Sequence, residues 1–179
     1  MTSGWTETVH LGEVSRLGKG GRIERRFAPD AAALADIAVL LDLEVLSSLE
    51  ATLKITPWFD GARIAGRWTA AITQLCGVSL EPLLSDLAGD FVVHVVPEGS
   101  DLAPQADGPE MVIDPDADDP PDVLEGDVID LAGYVIEHVS LEIDPFPRAP
   151  GAEFEPPRPD PEASPFAKLA ALKIGKAPS

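Results

Sequence analysis

Leu49-Glu50-Ala51-Thr52-Leu53-Lys54-Ile55, followed by Pro57-Trp58-Phe59-Asp60-Gly61 and then Arg63-Ile64-Ala65-Gly66-Arg67-Trp68-Thr69-Ala70, is the stretch whose reading decides the fold. Leu49, Ala51, Leu53 and Ile55 alternate with Glu50, Thr52 and Lys54, the period of a strand with one buried face. On the return, Ile64, Gly66, Trp68, Ala70 and Ile72 alternate with Arg63, Ala65, Arg67, Thr69 and Thr73. Asp60-Gly61 between the two runs is a strong hairpin signal. An antiparallel pair of this length needs a third strand for stability. Val78 to Val96 supplies it, with the β-branched run Phe91-Val92-Val93-His94-Val95-Val96 at its end and Gly89 expected as a bend or bulge.

Outward from this sheet, helices are expected on both sides. Asp30 caps Ala31-Ala32-Ala33-Leu34-Ala35-Asp36-Ile37-Ala38-Val39-Leu40-Leu41, whose Leu34, Ile37, Ala38 and Leu41 fall on one face. Residues 127–144 carry a second helical stripe through Val128, Leu131, Val135 and Val139, stopped by Pro145 and Pro147. The fold class is therefore α+β: an antiparallel sheet, open or barrel-like, with a few flanking helices. Residues 1–147 are assigned to that domain. Residues 97–126, with six prolines and many aspartates, read as a mobile acidic loop within it. Residues 148–164 read as a proline-rich linker. Ser164-Pro165 opens a short C-terminal helix over 165–174.

Charge divides the chain sharply. The formal charge of −18 is concentrated in residues 68–147, which contain 18 acidic side chains and neither lysine nor arginine. Residues 1–67 are nearly neutral, at −1, and hold five cations close together: Arg16, Lys19, Arg22, Arg25 and Arg26. A field of this kind repels phosphate backbones over most of the surface and attracts basic partners. No apolar run approaches the ~20 residues of a membrane helix. No secretory signal is visible, and the single cysteine, Cys76, fits a reducing compartment, so the cytoplasm is the expected location.

No arrangement for catalysis or cofactor binding is found. Gly18-Lys19-Gly20-Gly21 lacks the spacing of a phosphate-binding loop. His10, His94 and His138 form no metal-ligand pair, and Cys76 has no adjacent base. Asp114-Pro115-Asp116-Ala117-Asp118-Asp119 lacks the glycine of a calcium loop. The expectation is a protein that binds a macromolecule, with no enzyme activity, no cofactor, no metal and no small-molecule substrate.

Leu75-Cys76-Gly77-Val78-Ser79-Leu80-Glu81-Pro82, then Gly126-Asp127-Val128-Ile129-Asp130-Leu131, then Ser164-Pro165-Phe166-Ala167-Lys168-Leu169 occur in this order around an acidic loop. In this the chain resembles the YceD family of large ribosomal RNA subunit accumulation proteins, of the proteobacterial type. The positions that carry the likeness are Cys76, Leu80, Glu81, Pro82, Asp130, Pro165 and Phe166. The resemblance implies a non-enzymatic role in ribosome assembly. Many members carry a second cysteine where this chain has Ser79, and a hydroxyl is a poor zinc ligand, so no zinc site is expected.

Two surfaces follow. Arg16, Lys19, Arg22, Arg25 and Arg26, with Arg63 and Arg67 and the nearby Trp58 and Trp68, are candidates to bind ribosomal RNA. Asp114, Asp116, Asp118 and Asp119 are candidates to bind a basic large-subunit ribosomal protein. On the alternative reading the protein is an acidic chaperone for such a protein, with no direct RNA contact.

Overall fold

Two residues turn the chain between the first two of its three long strands. In a computed structural model that describes residues 4–18, 20–104 and 119–154, β3 (Val45–Trp58) and β4 (Gly61–Leu75) pair antiparallel, with Trp58 opposite Gly61. Phe59 and Asp60 are thus the turn itself, and Phe59 takes the positive φ of 50° that such turns demand. Gly61 serves a different purpose from the turn role its sequence context suggests. A Cβ there would run into the backbone carbonyl of Val95 on the neighbouring strand, so only glycine lets β5 approach at this point.

Around that hairpin the elements run β1 (Thr8–His10), α1 (Leu11–Ser15), β2 (Ile23–Phe27), α2 (Ala31–Leu40), β3, β4, β5 (Pro82–Pro97), β6 (Asp122–Leu124), β7 (Val128–Asp130) and α3 (Leu131–Glu142). The main sheet is open, in the order β2-β3-β4-β5-β6, and β1 pairs with β7 in a separate two-stranded ladder. All pairings are antiparallel except β5 with β6. β6 lies inside the stretch expected as acidic loop, where Val123 and Leu124 pair with Val96 and Pro97. The centre of that stretch, residues 105–118, lies outside the described residues, as do the expected helix 165–174 and most of the linker.

Alternation along β3 and β4 builds the core as their sequence implies. Leu49, Leu53, Ile55, Ile64, Trp68 and Ile72 are all buried. Leu46 and Leu49 would fall on opposite faces of a regular strand, but a register shift between Leu46 and Ser48 turns both inward. Gly89 does not bulge β5, for the β4–β5 register is unbroken from Ala62↔Val95 to Leu75↔Pro82. Its reason is Trp68, directly opposite: a Cβ at Gly89 would stand 2.9 Å from the indole Cζ2. The indole, 1% exposed, is therefore laid flat across a strand that has no side chain there.

α1 and α3 cover the inner face of the sheet, burying Leu11 and Val14 from one and Leu131, Val135 and Val139 from the other. α2 is capped as expected: the Asp30 carboxylate accepts the Ala33 N–H at 2.9 Å. The second helix is shorter than its periodicity suggests. Residues 128–130 are instead the strand β7, and Asp130 caps α3 by accepting the Gly133 N–H at 3.0 Å. The Glu7 carbonyl beside β1 accepts from Leu131 and Ala132, two amides of the first helical turn. Pairing with β1 thus competes for residues that local sequence would give to the helix.

A candidate nucleic-acid interface on the outer face of the sheet

Register decides which cations share a surface. Residues directly opposite in antiparallel strands project from the same face. On the face away from the core, one row runs Arg26, Thr52, Arg67, Asp90 across β2 to β5. The next runs Glu24, Lys54, Ala65, Val92, and a third runs Thr56, Arg63, His94. Arg26 and Arg67 flank Thr52 on neighbouring strands, about 10 Å apart at the backbone. Lys54 lies diagonally between Arg63 and Arg67. Trp58 closes this end of the face, its ring 4.3 Å from that of His94 and inclined 30° to it.

Among the described residues, no ion pair involves Arg26, Lys54, Arg63 or Arg67. Arg22, by contrast, is held by Glu24 at 2.6 Å. The five N-terminal cations are also not one patch. Arg25 is opposite Leu53 and so leaves β2 on the side away from Arg26. Arg16 caps the end of α1, and Lys19 lies outside the described residues. Trp68 is no part of any surface, being buried in the core. Lys54 and His94 join this face through strand pairing, beyond the cations expected from sequence. The signal for Lys54 was its place on the polar side of the β3 alternation.

The loop joining β4 to β5 is organised by a sulfur. Cys76 is buried and its Sγ accepts backbone N–H groups from Val78 at 3.4 Å, Ser79 at 3.4 Å and Ala149 at 3.3 Å. The Ala149 N–H, then the hydroxyl and N–H of Ser79 and the N–H of Val78, lower the thiol pKa to about 6 against the opposing pull of burial. Leu80 takes a φ of 59°, which lets the Glu81 carbonyl accept the Cys76 N–H at 2.9 Å and brings Pro82 opposite Leu75. Ser79 Oγ donates to the Glu81 carboxylate at 3.3 Å. Gly77 N–H reaches the Pro147 carbonyl at 2.8 Å, so residues 147–149 are strapped to this loop from a distant part of the chain.

Residues 64–173 match the family model described as large ribosomal RNA subunit accumulation protein YceD. The chain belongs to the YceD family. Membership gives it a role in the large-subunit ribosomal RNA pathway. No curated protein and no solved structure matches the chain. Of the family positions, Cys76, Leu80, Glu81 and Pro82 build the β4–β5 loop and Asp130 caps α3, each a structural task. Pro165 and Phe166 lie outside the described residues. The family match begins at Ile64, so it includes Arg67 but not Arg26, Lys54 or Arg63.

A second concave region lies between β5 and α3, lined by Val92, His94, Asp122, Tyr134, Glu137 and His138. Tyr134 donates its hydroxyl to Asp122 at 2.9 Å. Burial, and then the Asp122 carboxylate, push the phenol pKa far above its ordinary value. His138 stacks on Phe91 at 4.0 Å. Asp119 borders this region, whereas Asp114, Asp116 and Asp118 lie outside the described residues. Among the described residues, no three His, Cys, Asp or Glu side chains form a metal-binding group, and no helix is long and apolar enough to cross a membrane.

Proposed function

We propose that this protein is a non-enzymatic ribosome-assembly factor that binds large-subunit ribosomal RNA on the outer face of its main sheet. The observation that carries this reading is the grouping of Arg26, Lys54, Arg63 and Arg67 on one face without carboxylate partners among the described residues. Trp58 and His94 at its margin add ring faces for base stacking. The acid of residues 68–147 disfavours phosphate over that part of the chain and biases the encounter toward the cations of residues 1–67.

Salt-dependent RNA binding tests it. The R26A/K54A/R67A protein removes three exposed cations and leaves the core untouched. Its binding to a large-subunit ribosomal RNA fragment should weaken, and the log–log salt slope should shrink by about 2 to 3. An unchanged slope would refute the surface. A second reading, capture of a basic ribosomal protein by the acidic half, is supported by the absence of any lysine or arginine from residue 68 to residue 147.

A further inference from the structure

β5 is paired with β4 from Pro82 to Val95, but on its other side β6 reaches only Val95, Val96 and Pro97. Among the described residues, the opposite edge from Leu83 to Val92 has no strand beside it. Every second residue of such an edge directs its N–H and C=O outward, which makes it a template for another strand. Several of the usual protections are missing here, and the charges the edge carries are only Asp86 and Asp90. The edge carries no lysine, no proline between Pro82 and Pro97, and no bulge.

Its side chains say which strand would fit. On the outer face the edge presents Leu84, Asp86, Ala88, Asp90 and Val92, with Leu84 83% and Val92 49% exposed. Asp86 and Asp90 stand about 13 Å apart, the separation of residues i and i+4 in any strand laid alongside. Asp86 faces Ala71 on β4, and Asp90 faces Arg67 without forming an ion pair to it. Asp122 and Glu137 add acid in the concavity next to the edge. A second copy of this chain would set aspartate rows of like charge against each other, which is unfavourable.

We propose that the Leu83–Val92 edge of β5 accepts an extended lysine- or arginine-bearing peptide as an added strand. Backbone hydrogen bonds supply the affinity, and cations at i and i+4 opposite Asp86 and Asp90 select the sequence. This site adjoins the RNA surface, since Asp90 stands opposite Arg67, but it acts through backbone groups and carboxylates and does not depend on RNA binding.

The probe is a fluorescent synthetic peptide of alternating valine and threonine with two lysines four residues apart, titrated with the full chain at low salt. Two further peptides carry N-methyl groups on alternate amides, one set in each phase. Binding should survive methylation in one phase and fall at least about tenfold in the other, since only one set of amides faces the edge. D86K/D90K should cause a comparable loss, and R26A/K54A, which keeps the Arg67 opposite Asp90, should leave the peptide affinity unchanged. Amides of Leu83–Val92 should gain exchange protection in the complex. Equal binding of both methylated peptides, or full binding by D86K/D90K, would overturn the proposal. So would no binding of the lysine peptide, or a dimer of the chain with these amides already protected. Loss of RNA binding in the arginine and lysine variant bears only on the sheet face, so the two ideas fail separately.

Discussion

The two long hairpins share β4 yet are built on different principles. The β3–β4 hairpin closes in two residues, and its turn depends on the local conformations of Phe59 and Asp60. The β4–β5 hairpin closes through Cys76–Glu81, a loop held by a sulfur that also accepts an N–H from Ala149, far along the chain. The first carries Lys54, Arg63 and Arg67 outward beside a single acid, Glu50, whereas the strand added by the second contributes Asp86 and Asp90. Local turn chemistry can therefore specify one hairpin unaided, while the other requires a tertiary partner, and one sheet thereby presents a basic surface beside an acidic edge.

Removing the side chain common to both hairpins should have the largest effect. Trp68→Ala should destabilise the fold by about 4 kcal/mol in urea unfolding, since a buried indole leaves a large cavity. Because the indole lies over Gly89, amides of β5 should lose exchange protection before those of β3. Equal loss in both strands would mean that the hairpins are not separable units.

Gly61→Ala should follow, at about 3 kcal/mol, toward the upper end for overpacking because the obstructing atom is the Val95 carbonyl and not a movable side chain. If the substitution proves neutral, β5 does not approach the first hairpin as closely as described.

Near neutral pH the smallest effect concerns the second loop alone. The Cys76 pKa in the folded protein, about 6, lies below its value of 9.0 for a free thiol. A depressed acid stabilises the fold fully above the unfolded value, and that contribution is lost as pH falls through about 6. Stability should therefore rise from pH 6 to pH 9 in the wild type, and Cys76→Ala should flatten that rise. Ultraviolet titration of the thiolate should give a midpoint near 6. A midpoint near 9 would show that the three N–H groups do not hold the sulfur as an anion.

Much of the hairpin sheet was legible in advance, because a period of two with buried Leu49, Leu53, Ile64 and Trp68 has few other solutions. The cap at Asp30 was equally plain, since its carboxylate acts within three residues. The RNA face was legible only in part. Alternation marks Arg63, Arg67 and Lys54 as outward, but Arg25 and Arg26 part company only once β2 is paired with β3.

What the sequence by itself determined is whatever acts over a few residues: strand alternation, the capped helix, the charge division at residue 67 and the motif that carries the family likeness. Tertiary structure decided the rest. It gave residues 128–130 to a strand because β1 and Glu7 satisfy backbone groups that a helix would otherwise claim. It made Gly61 and Gly89 into points of close approach, because the obstructing groups, Val95 and Trp68, belong to other strands. Partners remote in sequence leave no periodic trace, and only the folded chain brings them within reach.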